Sequence, residues 1–250
     1  MVAPNGARKT AADHPALPLT PAELAAAARA CRAAGAGTIH LHVRDPDGRH
    51  TLAADAYRAA IAAIRGACDI RIQITTEAVG IYDVAAQIDC LAAGLAPEAS
   101  VALREIERDP ARLAEAYRVA DRAGVKVQHI LYAPDDLLRL KARLDAGDIP
   151  ARFKKVLFVL GRYTEGQRAA PQDLDPFLDA LGDTVLDWSV CAFGPREQDC
   201  LMHAIRHGGG ARIGFENNHV APGGAPWADN AAAVAALVAA AGREGFQPKG

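Results

Sequence analysis

The stretch TIHLHVRDPDG, residues 38–48, carries histidines at 40 and 42 and an arginine at 44. Residues two apart in a strand share a face, so an extended chain sets His40, His42 and Arg44 on one side. Two imidazoles so placed are good ligands for zinc. A single buried histidine is usually a satisfied core residue. Two in register, running into Arg44, Asp45 and a turn, point to a metal instead. A catalytic metal keeps three protein ligands and an open position, and Glu216 in ARIGFENNH is the third candidate. Further chemistry falls where other apolar runs end: Thr75, Thr76 and Glu77 in QITTEAVG, Gln128, His129 and Tyr132 in VQHILYAP, and Arg212, Asn217, Asn218 and His219 beside Glu216. Arg44 and Asp45 read as a brace for the turn or an ion pair at the rim, ahead of a catalytic role.

The elements that must hold these residues alternate. Apolar, β-branched runs predict strands at 38–43, 70–75, 98–103, 126–131, 155–160, 184–190 and 211–215, with a short one at 2–4. Alanine-rich helices are predicted between them, roughly at 53–66, 82–93, 110–123, 134–146, 172–181, 196–207 and 227–243. An earlier one starts at LTPAEL, where Thr20 caps, Pro21 takes the first turn and Glu23 completes a capping box. Strict alternation implies a parallel sheet covered by helices. Eight β/α units in a single domain, 1–250, make an α/β protein of the (β/α)8 TIM-barrel class with a short first strand, whose active site lies at the C-terminal ends of the strands. A doubly wound open sheet competes, but no GxGxxG or Walker A motif is present. RHGGGAR lies on the opposite end of such a barrel and reads as a turn, and His203 and His207 read as a solvated face.

Half of the residues are hydrophobic, enough for a sizeable core. The net charge of −2 and the absence of a basic stripe argue against nucleic acid. Scattered cysteines with no CxxC pair argue for reduced thiols in a cytoplasmic protein. MVAPNGARKT has no apolar signal-peptide core, and NAAAVAALVAAAG is too short to span a bilayer, so no membrane partner is expected.

Taken together, PNGARKTAADHPALPLTPAEL, GAGTIHLHVRDPDGRHTL, FVLG and GGGARIGFENN resemble the β-keto acid cleavage enzyme family, in the same order and across almost the whole chain. The resemblance implies a (β/α)8 barrel assembled as a homo-oligomer, a tetramer or dimer. It implies zinc, or another divalent metal, on His40, His42 and Glu216. It also implies reaction of a β-keto acid with acetyl-CoA as co-substrate, giving acetoacetate and a new acyl-CoA. Arg212 matches the family's catalytic arginine and Thr75 a hydroxyl residue near the substrate; Asn5 and Arg8 fall in the run expected to meet the substrate. Three positions depart from the pattern. Asn217 replaces an aspartate of the acid–base apparatus, and Gln128 replaces an active-site glutamate. Arg8 replaces a glutamate that meets a substrate ammonium, which favours an anionic or polar tail. Glu77, where the family has glycines, is the residue expected to restore a base, with an exposed loop glutamate as the alternative. The loops carrying Gly161 and Arg162, and Phe193 and Gly194, are candidates for the CoA cleft. Three other readings stand beside this one: an amidohydrolase-like metal hydrolase, for which His129 and His219 offer further ligands, a metal- or metabolite-binding relative that has lost the reaction, and a related lyase acting on a β-keto acid without CoA.

Overall fold

Short apolar runs followed by amphipathic alanine-rich stretches can bury both faces of the sheet only if it is covered on its outside. A computed structural model of the chain shows that arrangement. It describes residues 1–248; the last two positions of the expected 1–250 span lie outside the described residues. The strands are β1 (Thr38–Leu41), β2 (Val43–Arg44), β3 (His50–Thr51), β4 (Arg71–Thr75), β5 (Glu98–Ala102), β6 (Lys126–Leu131), β7 (Lys155–Leu160), β8 (Asp187–Ala192) and β9 (Gly210–Ala211). The helices are α1 (Pro21–Ala33), α2 (Ala54–Ala67), α3 (Val84–Ala92), α4 (Leu103–Ile106), α5 (Leu113–Arg122), α6 (Pro134–Asp145), α7 (Asp175–Leu181), α8 (Glu197–Arg206) and α9 (Asn230–Arg243).

Strands β1, β4, β5, β6, β7, β8 and β9 form one curled sheet in that order, parallel throughout. Val2 bridges Ile39 on one edge and Ile213 on the other, both in parallel sense. Val2 N–H donates to the Thr38 carbonyl and Ala3 N–H to the Ile213 carbonyl, each at 2.8 Å. In place of the strand expected at 2–4, the single bridged residue Val2 joins the two edges of the sheet, which curls as a TIM barrel does. Gly214 permits this closure: it sits at φ +143°, and a Cβ on it would lie 2.4 Å from the Ala3 carbonyl oxygen.

The main core lies between the strands and the helices, with Ile39, Leu41, Ile72, Ile74, Val101 and Phe158 meeting Leu24, Tyr57, Ile64 and Leu91. Burying one such side chain contributes about 1.5–3 kcal/mol. The cap of α1 is the expected capping box, with Thr20 and Glu23 exchanging bonds and Pro21 in the first turn.

Several boundaries differ from the expected ones for local reasons. The run 38–43 divides: β1 ends at Leu41, and β2 pairs antiparallel with β3 as a hairpin over the rim. The strand expected at 184–190 begins at Asp187, because Thr184 N–H still bonds to the Leu181 carbonyl in the turn after α7. The strand expected at 211–215 stops early, because Gly214 turns the chain and its carbonyl accepts from Asn217 and Asn218. Helices α3 and α9 start later than expected, where Asp83 and Asp229 cap them. Helix α4 follows β5 directly and was not anticipated.

Candidate functional site

The C-terminal ends of β1, β4 and β7, with the turn after β9, converge on a cavity of about 390 Å³, within the usual range for a small-molecule site. His40, at the end of β1, and His42, one residue beyond it, are 1% and 0% exposed. Their Nε2 atoms are 3.2 Å apart. Glu216 Oε2 lies 3.7 Å from His40 Nε2 and 3.5 Å from His42 Nε2. The parity of the strand brings the rings together, and the turn after Gly214 delivers the carboxylate. Gly6, at φ +64°, passes so close to Glu216 that a Cβ would lie 2.6 Å from its Cγ.

The atoms present fit a cation. Donors around a tetrahedral ion with ligand bonds of about 2.0–2.1 Å stand ~3.3 Å apart, close to the three separations above. Burial, against the opposing pull of the Glu216 carboxylate, pushes the His40 pKa down to about 4 and the His42 pKa down to about 3, so both rings are neutral and able to ligate. Burial acts to raise the pKa of Glu216, but the Arg212 guanidinium and the two imidazoles of His40 and His42 together hold the group well below the usual carboxylate range. Arg212 donates to Glu216 Oε1 at 3.1 Å, while Oε2 is buried with no hydrogen-bond partner. A buried charged oxygen left unpaired is costly, and a metal would satisfy it.

Of the other expected residues, Glu77, Thr75, Arg8 and Arg212 line the same cavity. Glu77 Oε2 stands 3.9 Å from His42 Nε2. Burial, then the neighbouring Glu216 and Glu105, push the Glu77 pKa up to about 7. Thr75 accepts from the Glu77 N–H at 3.0 Å and so anchors its loop. Arg8 reaches across the rim to the Val79 carbonyl. Arg162 and Phe193 also line the cavity, with the guanidinium 5.1 Å from the phenyl ring.

Three expected site residues do not reach the cavity wall. Gln128 sits two residues below Ile130, the β6 residue that lines the cavity, and bonds to Gln73, Ser189 and the Val156 carbonyl inside the barrel. Asn217 is buried beneath the turn, and neither side-chain atom has a partner. Asn5 donates to the Pro18 and His42 carbonyls and so steadies the main chain at His42. The expected Arg44–Asp45 pair is replaced by two separate braces. Arg44 donates to the Gly6 and Lys9 carbonyls, holding the 5–9 loop over the site, and Asp45 accepts from the Asp47 and Arg49 N–H groups of the hairpin turn.

Some contributors were missed. Lys9 lines the cavity and donates to the Phe215 carbonyl at 2.6 Å; it stands next to Arg8, and only the loop's path places it here. His50 bonds to the Glu77 carbonyl at 2.9 Å, and the unforeseen hairpin puts it there. Gln73 bonds to His40. A polar residue two before Thr75 in an apolar strand was the available signal. His129 is a satisfied core histidine on the helix side of β6, between the Tyr117 hydroxyl and the Phe153 carbonyl, and takes no part in the site.

The model of the beta-keto acid cleavage enzyme family matches residues 1–249. The 3-keto-5-aminohexanoate cleavage enzyme of Acetoanaerobium sticklandii is 29% identical over 249 residues, covering 93% of this chain and 87% of that protein. The 3,5-dioxohexanoate:acetyl-CoA acetone transferase of Paraburkholderia graminis is 41% identical over 75 residues, 30% of this chain and 24% of that one. Among solved structures, the complex of ObcA with oxaloacetate superposes with a TM-score of 0.73 at 15% identity, covering 93% of this chain. The match takes in 65% of the ObcA chain, so this chain spans a little under two thirds of it; at that identity the likeness concerns the fold alone.

Proposed function

The chain belongs to the β-keto acid cleavage enzyme family, and from that premise we propose that it converts a β-keto acid and acetyl-CoA into acetoacetate and a new acyl-CoA. The observation that carries the reading is the buried His40–His42–Glu216 triad opening on a cavity of small-molecule size. Zinc is the metal proposed for these ligands, and other divalent ions accept the same N/O donors. Bound there, it would supply Lewis-acid polarisation of the keto and carboxylate oxygens.

The chain's own residues do the rest. Glu77, with its pKa near 7, is suited to take the proton from the carbon between the two carbonyl groups. The resulting carbanion displaces CoA from the acetyl thioester. The released thiolate then attacks the original keto carbon, the carbon–carbon bond breaks to release the new acyl-CoA, and the carbanion left behind takes the proton back from Glu77 to give acetoacetate. Arg212, buried and charged, orients the substrate carboxylate or steadies a developing oxyanion. Thr75 fixes the Glu77 loop. Arg8, at the rim, meets the far end of the substrate, which favours an anionic or polar tail. Arg162 and Phe193, which line the cavity, are the contacts proposed for the thioester. Gln128 and Asn217, proposed from the sequence as altered catalytic positions, are better supported as interior groups. The reading includes one barrel domain over 1–250 and a cytoplasmic homo-oligomer, a dimer or tetramer. No helix among the described residues is long and apolar enough to cross a membrane.

The test is a turnover screen. Zinc-loaded protein is given acetyl-CoA and β-keto acids with cationic, neutral and anionic tails, and acetoacetate is followed. Acetoacetate release is expected, with anionic tails ahead of cationic ones, and Arg8→Glu should reverse that order. A blank across the panel with zinc confirmed overturns the reading. Hydrolysis of an amide or lactone without acetyl-CoA would put the amidohydrolase reading in its place.

A further inference from the structure

Beneath His40 a file of polar side chains crosses the barrel interior. His40 Nδ1 lies 2.8 Å from Gln73 Oε1. Gln73 Nε2 donates to Gln128 Oε1 at 2.9 Å. Gln128 Nε2 donates to Ser189 Oγ at 3.0 Å and to the Val156 carbonyl at 3.3 Å. The Ser189 hydroxyl donates to that same carbonyl at 3.3 Å. Gln73 and Gln128 are 0% and 6% exposed, a depth at which each amide needs partners.

The direction of this file is set from one end. A main-chain carbonyl only accepts. Val156 therefore requires the NH₂ group of Gln128 to face it, which turns the Gln128 oxygen towards Gln73. Gln73 must then offer its NH₂ to Gln128 and its oxygen to His40. An oxygen at that place requires the ring hydrogen on Nδ1. The lone pair is left on Nε2, the atom that faces His42 and Glu216.

We propose that Gln73 and Gln128 are positioning residues, a relay that carries the polarity of the Val156 carbonyl across the barrel and locks His40 in the Nδ1–H tautomer. The inference rests on the metal reading of the triad for its purpose, since only that tautomer presents Nε2 as a ligand. Glutamine suits both places because one neutral side chain donates at one atom and accepts at the other. If Gln73 flipped, its NH₂ would face His40 Nδ1 and drive the hydrogen to Nε2. In the intact file that flip sets two amide oxygens against each other at Gln128. Without Gln128 nothing opposes it. The glutamine at 128 thus has a role that a carboxylate lacks, because an ionised oxygen there would face the Val156 carbonyl.

Two measurements test the relay. Nitrogen-15 NMR of histidine in the metal-free protein distinguishes the two neutral tautomers, and competition with a chelator gives the zinc affinity. Wild-type His40 is expected as Nδ1–H. Gln128→Leu should give a mixture of tautomers and weaken zinc about 10–100-fold, the usual effect of losing an outer-shell partner. Ser189→Ala keeps the direct bond from Gln128 to Val156 and should leave both readouts unchanged. Wild-type His40 found as Nε2–H would overturn the relay without recourse to any variant. So would a folded Gln128→Leu protein with unchanged tautomer and zinc affinity. A wild type that binds no zinc while His40 stays Nδ1–H would sink the metal reading and uphold the relay.

Discussion

At the scale of single residues, the proposed function rests on how three candidate ligand atoms and one carboxyl are held. The triad is neutral at its imidazoles and anionic at Glu216, so it presents lone pairs without a proton in the way. His40→Ala removes one of three donors and the partner of Gln73. It is expected to abolish stoichiometric metal, read by elemental analysis of the purified protein; full occupancy would refute the ligand assignment. Glu77 is expected to act after binding. Glu77→Gln should lower kcat by about 100-fold or more, the usual range for a general base, while metal content stays at the wild-type level. A kcat equal to the parent with the true substrate would return Glu77 to the role of a rim residue.

At the scale of elements, the site depends on loops pinned by main-chain contacts. The segment after Val2 closes the barrel and then runs over the triad as the 5–9 loop, which Arg44 holds by its carbonyls. The last strand meets this segment at Gly214, where the chain leaves the sheet and turns Glu216 inward. Gly214→Ala places a Cβ against the Ala3 carbonyl at a φ that disfavours any side chain. It should cost roughly 2–3 kcal/mol of stability, measured by denaturant unfolding. A variant with parental stability would mean that the closure tolerates a wider gap than the structure shows.

At the scale of the whole molecule, buried histidines couple the fold to pH. His129 is fully buried on the helix side of β6, against Tyr117 of α5, and burial pushes its pKa down to about 4. The unfolded chain takes up a proton near pH 6.5, where the folded state does not. The stability due to the neutral ring is therefore complete above that pH and is lost as pH falls towards 4. The loss is roughly 3 kcal/mol, from the difference between the two pKa values. With a chelator present, unfolding free energy measured from pH 7 to 4 should fall, and the fall should be shallower in His129→Gln. Equal slopes for the two proteins would show that His129 is not held neutral.

The sequence by itself determined the barrel and most of the residues that gather at its candidate site. Alternating strands and helices, the side-chain period of two, and a carboxylate placed just past the last strand are local patterns, so β1, the imidazole pair and Glu216 were legible from spacing. The capping box of α1 was legible for the same reason. Only the tertiary structure decided which residues meet across the barrel. Gln73 and Gln128 are 55 positions apart, and no local pattern shows that their amides join behind His40. Gln128 looks like a pocket residue when its strand is read alone; the height of β6 in the barrel puts it beneath the cavity. Lys9 and His50 reach the site through a loop and a hairpin whose paths are set by distant carbonyls. The same holds for Arg44, whose neighbour Asp45 was the obvious partner by sequence and whose actual partners are main-chain oxygens brought over it by barrel closure. Periodicity is written in the chain, whereas long-range polar pairing depends on register and closure and appears only once the strands are assembled.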